Sequence, residues 1–219
     1  MIRVVLFDVD GTLVDSNDAH AHAWVDAFRD AGITVAFEAV RRAIGMGGDK
    51  LMPRISGVTE DSPECERISQ RRREIFKQQY LPQVQPFRDA DRLCAALRDG
   101  GRTLVAASSA KQDELGPLLR IAGVDRLFNA ATSSDDAEES KPDPDIVQAA
   151  LQKAGGHAEE ALMIGDTPYD VEAAGRAGVG VIGFRCGGWS DADLRGAIAI
   201  YDGPWDLLAR LGESRLFAA

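Results

Sequence analysis

Five short apolar runs constrain the fold of this chain more than any other feature: IRVVLF (2–7), TLVAAS (103–108), LFNAAT (127–132), ALMIG (161–165) and VGVIGF (179–184). They are too short for free-standing helices and lack a strict apolar/polar alternation, so they fit strands buried on both faces. Between the later runs the apolar residues recur at helical spacing. Leu93, Cys94 and Leu97 share one face, as do Ile146, Val147, Ala150 and Leu151, and Val171, Ala174 and Ala177. KPDPD offers Asp143 as an N-cap and Pro144 at the first helical position. Strand and helix alternate, which predicts an α/β fold with a doubly wound parallel sheet.

Residues 16–85 break that rhythm. DSN caps an expected helix whose face carries Ala21, Trp24, Val25 and Phe28, and helical stretches continue to Tyr80 with no convincing strand between them. This predicts an all-helical insert, with VDSN (14–17) as the outgoing hinge and YLPQVQPF (80–87) as the return. Residues 1–15 and 86–219 then form the sheet domain.

Composition narrows the function classes. The 219 residues carry 35 acidic against 25 basic side chains, a formal net charge of −10, which repels nucleic acid and anionic membrane surfaces. No apolar run approaches the roughly 20 residues of a membrane helix, and Arg3 and Asp8 interrupt the N-terminus too early for a secretory signal. A soluble, cytoplasmic protein is expected, with neither nucleic acid nor membrane as partner. Cys65, Cys94 and Cys186 are odd in number and lie far apart, so they read as packing thiols rather than disulfides or zinc ligands.

The first run leads directly into carboxylates, LFDVDGTLVDS (6–16). Residues two apart on a strand point the same way, so Asp8 and Asp10 share one side at its carboxyl end, where open parallel sheets bind ligands. Gly11 permits a sharp turn, after which nearby amides and Thr12 can face an anion. Two carboxylates so close need compensation, which a hard divalent cation provides through oxygen ligands. An EF-hand is disfavoured, because Gly11 comes too early and no glutamate closes the loop. A chance acidic turn remains open on this motif alone. Downstream, Ser108 and Ser109 end the second run, Lys141 follows the third in ESKPDPD, and GDTPYD (165–170) ends the fourth. Each lies where a parallel sheet presents its catalytic edge.

With these four motifs in order and a helical insert after the first, the chain resembles the haloacid dehalogenase superfamily, in the branch of phosphoglycolate phosphatase and β-phosphoglucomutase. The resemblance implies a Rossmann-like core with a helical cap, and Mg2+ held by the side chains of Asp8 and Asp166 and the main-chain carbonyl of Asp10. It implies that Asp8 is the nucleophile, Asp10 the general acid/base and Lys141 the cation paired with nucleophile and phosphate. Ser108 and the amide of Ser109 match the phosphate-binding position. Asp15 and Asp170 are expected behind the direct ligands, and Thr167 with Asp170 also reads as a capping box.

For the organic part of a small phosphorylated metabolite, His20, Lys50 in GMGGDK (45–50) and Lys111 are the candidates. His20 and His22 diverge on a helix, and Arg71, Arg72 and Arg73 spread around one, which favours a solvent face over a phosphate clamp. Dehalogenase and phosphonoacetaldehyde hydrolase chemistry is disfavoured by Asp10. The mutase carries an acidic pair where this chain has Gly165 and Asp166, and an arginine near Gly48 and Asp49 that is absent here. The resulting expectation is a Mg2+-dependent phosphatase acting through an aspartyl phosphate. A phosphoglucomutase is the runner-up, and a non-catalytic binding protein on the same fold is the rival from another class.

Overall fold

The computed structural model describes residues 1–213. The chain forms two compact units, one of Met1–Asp15 with the described residues from Gln85 onward, the other of Ser16–Val84.

In the first unit a six-stranded sheet is built from β1 (Val4–Phe7), β4 (Thr103–Ala107), β5 (Ala130–Thr132), β6 (Ala161–Gly165), β7 (Gly180–Phe184) and β8 (Ala199–Tyr201), in the order β5-β4-β1-β6-β7-β8. All its pairings are parallel, and β1 lies between β4 and β6 with Val4 opposite both Thr103 and Ala161. The two remaining strands, β2 (Val14–Asp15) and β3 (Gln85–Pro86), pair antiparallel where the chain leaves this unit and returns to it.

Both faces of β1 are buried, as its unbroken apolar sequence requires. Val4 and Leu6 face α7 (Asp145–Ala154) and α8 (Pro168–Arg176) through Ile146, Val147, Ala150 and Ala173. Val5 and Phe7 point to the opposite side of the pleat. Helix α5 (Ala90–Asp99) buries Leu93, Cys94 and Leu97, and α6 (Gln112–Ile121) buries Leu115, Leu118 and Leu119. Each fully buried side chain of this size stabilises the fold by about 1.5–3 kcal/mol. Helix α9 (Pro204–Ala209) packs on α5.

Two capping expectations are corrected. Asp143 does not cap α7; Pro144 occupies that position, and the Asp143 carboxylate accepts from Arg176 at 2.8 Å. Ser16 stands at the start of α1 (Asn17–Asp30) but makes no side-chain capping bond to it.

The second unit is helical: α1, α2 (Phe37–Arg41), α3 (Gly48–Ser56) and α4 (Pro63–Ile75), which runs on through a π-helical turn to Tyr80. Its interior holds Ala21, Trp24, Ala27 and Phe28 from α1 and Ile68, Ile75 and Phe76 from the last helix and turn. Ser62 caps α4 by accepting the Cys65 amide at 3.1 Å, with Pro63 at the first helical position. No helix among the described residues is long and apolar enough to cross a membrane.

Candidate active site

The strand order fixes where a ligand can bind. From β1 the chain steps outward to β4 and β5, then crosses back to add β6, β7 and β8 on the other side. The connections therefore diverge between β1 and β6, which leaves a crevice at their carboxyl ends. Asp8 follows β1 and Asp166 follows β6, so the topology alone brings together residues far apart in the chain.

Thr12 lies in the turn opened by Gly11 at φ +74°, and its hydroxyl donates to Asp166 Oδ1 at 2.9 Å. The same hydroxyl lies 3.5 Å from Asp8 Oδ2, too far for a second strong bond from a single proton. Through that bond Thr12 ties the first motif to the fourth.

Lys141 lies at the centre of the cluster. It is 0% exposed, yet its ammonium lies 2.6 Å from Asp8 Oδ1 and 2.7 Å from Asp170 Oδ1. Burial alone would lower the Lys141 pKa, but the Asp170 and Asp8 carboxylates outweigh it and hold the ammonium charged. Asp8 is the mirror case. Burial pushes its carboxyl well above the usual aspartate range, Lys141 pulls it back, and the carboxylates of Asp170, Asp166 and Asp10 push it up again.

Asp170 performs two tasks. Its Oδ2 accepts from the Thr167 amide at 3.0 Å and the Thr167 hydroxyl at 2.7 Å, which completes the capping box of α8, while Oδ1 holds Lys141. Gly165 has to be a glycine beside it, because an added Cβ would lie 2.6 Å from Asp170 Cγ.

One ligand oxygen each of Asp8, Asp166 and Asp170 lies within 4.8 Å of the others. An all-oxygen donor set with several carboxylates around one ammonium suits a hard divalent cation such as Mg2+ or Ca2+. Lys141 already engages Asp8 and Asp170, and oxygens of all three aspartates lie close enough together that they could hold such an ion.

The other expected residues are placed as follows. Ser108 is buried at the end of β4, and its Oγ accepts the Ala110 amide at 3.0 Å. The Ser109 hydroxyl is buried and has no hydrogen-bond partner among the described residues. Asp10 is half-buried in the turn and bridges to Val14, and Asp15 is exposed in β2. Lys111 points to the surface and pairs with Asp135 at 2.8 Å.

His20 and Lys50 belong to the helical unit. His20 is buried there, stacked on Phe76 with ring centroids 3.9 Å apart, and its Nδ1 lies 2.6 Å from Arg72 Nη2. Lys50 is half-buried, 3.9 Å from the Asp49 carboxylate. Arg72, expected on a solvent face, instead covers the rings of Trp24 and Phe76 at 5.5 and 5.3 Å, because its face of α4 meets α1. Arg71 does stay outside, paired with Asp30 at 2.7 Å.

Cys186, read from the sequence only as a packing thiol, and Gly187, which sequence reasoning missed, abut Gly11 and Asp166 from the turn after β7. The only local signal there was a pair of glycines.

Comparison with known proteins agrees with this architecture. The chain is 34% identical over 191 residues to a phosphoglycolate phosphatase of Yersinia pestis, covering 85% of this chain and 82% of that one. It is 30% identical over 202 residues to a probable phosphatase of Dickeya dadantii, with 90% and 87% covered. The crystal structure of a hydrolase from Pseudomonas syringae superposes with a TM-score of 0.89 at 30% identity, covering 99% of this chain and 100% of that one. The profile of the haloacid dehalogenase-like hydrolases matches residues 5–184. With that span covering most of the sheet unit and all of the helical unit, the chain belongs to the haloacid dehalogenase-like hydrolase family.

Proposed function

We propose that this protein is a Mg2+-dependent phosphatase of small phosphomonoesters, of the phosphoglycolate or sugar-phosphate type, working through an aspartyl phosphate on Asp8. The observation that carries the reading is the fully buried Lys141 ammonium shared by Asp8 and Asp170 at the switch point. Such a charge is costly to bury unless it serves neighbouring anions.

In the first half-reaction an Asp8 carboxylate oxygen attacks phosphorus, an O–P bond to Asp8 forms, and the ester P–O bond breaks. The departing oxygen takes a proton from Asp10. In the second, Asp10 removes a proton from water, whose oxygen attacks phosphorus, and the bond to Asp8 breaks to release inorganic phosphate. Lys141 holds the Asp8 carboxylate in place through their 2.6 Å contact and balances the negative charge that gathers as the two anions meet. Ser108 and the Ser109 amide orient the phosphate at the end of β4. Mg2+, held by Asp8, Asp166 and the carbonyl of Asp10, would supply the further charge neutralisation that lets an anionic nucleophile approach an anionic ester.

The raised Asp8 pKa supports the need for that cation, since the nucleophile must be ionised. Hydrolysis is favoured over mutase chemistry by Gly165: a first acidic residue there has no room beside Asp170. The phosphoglycolate phosphatase relative supports a small phosphorylated metabolite as substrate. His20, Lys50 and Lys111 are the proposed specificity residues, and residues 16–85 the proposed cap, which carries the first two.

The test is phosphate release from p-nitrophenyl phosphate and then from a panel of phosphorylated metabolites, phosphoglycolate first. Activity is expected only with Mg2+, and Asp8→Asn is expected to abolish it while the far-UV circular dichroism stays unchanged. Full activity in that variant would refute the nucleophile assignment.

A further inference from the structure

The turn that follows β7, Arg185–Gly188, has no role in the reaction described above, yet every part of it is tied down. Arg185 donates to both oxygens of Asp191 at 2.6 and 2.9 Å and to Asp202 at 2.7 Å. The Cys186 thiol donates to the Gly11 carbonyl at 3.4 Å, in the turn just after Asp10. Next along the chain, Trp189 is buried edge-on to Tyr169, the neighbour of Asp170, with ring centroids 6.0 Å apart.

Between these anchors Gly187 is pressed against Asp166. A Cβ built on it would lie 1.7 Å from Asp166 Oδ2, 2.3 Å from Cγ and 2.5 Å from Cβ. Unlike Gly188, whose φ of +90° favours glycine on backbone grounds, Gly187 lies outside the left-handed region, so volume alone excludes a side chain there. The Gly187 backbone is therefore a wall against the carboxylate. Thr12 holds the opposite oxygen, Oδ1, at 2.9 Å. With one oxygen hydrogen-bonded and the other walled in, Asp166 is confined to one rotamer, its alternatives lying about 120° away.

We propose that Gly187 is a positioning residue that presets the Asp166 carboxylate for the divalent cation, and that the Cys186 thiol locks the wall to the Gly11 turn. This rests on Asp166 being a cation ligand, as proposed above. A preset ligand loses little freedom when the ion binds, so disturbing its support weakens metal affinity by roughly 10- to 100-fold.

The test is Mn2+ binding to the full chain, followed by loss of the free-ion electron paramagnetic resonance signal, with Mg2+ competition. Gly187→Ala is expected to weaken Mn2+ and Mg2+ binding by at least about tenfold. Its turnover of p-nitrophenyl phosphate should recover as Mg2+ is raised, with KM unchanged once the metal saturates. Gly175→Ala, where a Cβ meets nothing within 4 Å, serves as the control and should bind as wild type does. A folded Gly187→Ala protein with wild-type metal affinity overturns the inference and leaves the phosphatase reading standing. Failure of the wild-type protein itself to bind Mn2+ or Mg2+ overturns both. If Gly187→Ala does not fold, the Cys186 variants decide: Cys186→Ala should weaken Mn2+ binding and Cys186→Ser restore it, and wild-type binding by Cys186→Ala sinks the proposal.

Discussion

Replacing Lys141 with methionine keeps an unbranched stem of similar length and deletes only the ammonium. In the wild-type protein that ammonium stands 2.6 Å from Asp8 and 2.7 Å from Asp170, and its side chain is 1% exposed. Removing one partner of a buried ion pair costs about 3–5 kcal/mol, because the remaining charge stays desolvated and uncompensated. For a chain of 219 residues, where 1 kcal/mol moves the melting temperature by about 2–4 °C, this predicts a drop of about 6–20 °C at neutral pH without metal. The sign of the pH dependence follows from Asp8. Burial already raises its pKa, and loss of the ammonium raises it further. The folded variant then binds more protons than the unfolded chain, so its stability falls as pH rises through the folded pKa and recovers on acidification. Thermal melts by circular dichroism in a metal chelator, at about pH 7 and about pH 5, should show the gap to wild type shrinking at the lower pH. A variant that melts within about 2 °C of wild type at neutral pH, or whose deficit grows on acidification, would refute the bridging role of Lys141.

Two further predictions concern other parts of the molecule. Thr167→Val removes the hydroxyl that accepts the Asp170 amide at 3.2 Å and donates to its carboxylate at 2.7 Å, and should cost about 1–2 kcal/mol in urea unfolding, with Thr167→Ser close to wild type; equal stability of the two variants would rule out the cap as the cause. In the helical unit, burial and the 2.6 Å bond to Asp26 push the Tyr80 phenol up to about 12. Its contribution to stability is full below the ordinary tyrosine pKa of about 10 and is lost as pH rises through about 12. Ultraviolet titration should show a late tyrosinate component that moves earlier in Asp26→Asn, and an unchanged titration curve would count against the pairing.

The sheet was legible because strands buried on both faces leave uninterrupted apolar runs. β1, β4, β6 and β7 fall within the runs that announced them, whereas β5 starts later than its run, at Ala130, since Leu127 and Phe128 lie in the turn before it. β8 escaped notice because three residues carry no period of their own, and its pairing with β7 is settled by the rest of the sheet. The same logic separates what could be seen of the site. Asp8 and Asp166 stand just beyond strand ends, so reading the strands already places them near one edge, while Lys141 comes later, past the 3-10 turn Ser134–Asp136 that follows β5. The Arg72–His20 contact joins positions 52 apart through the packing of two helices, and Gly187 matters only through the volume it leaves to Asp166. Neither relation has a one-dimensional signature. The capping box of Thr167 and Asp170 was legible and is present, whereas the Asp143 cap failed for a related reason: its carboxylate has suitable chemistry for an N-cap but is taken by the cation of Arg176.

The two-residue ribbon of Val14–Asp15 against Gln85–Pro86 makes the helical insertion a detachable module in architectural terms. Its entrance and exit are stitched side by side, so whatever is spliced between them closes its loop without tugging on β1 or β4. The length of chain between the two short strands can therefore change without altering the path of the backbone into β1 or out toward β4.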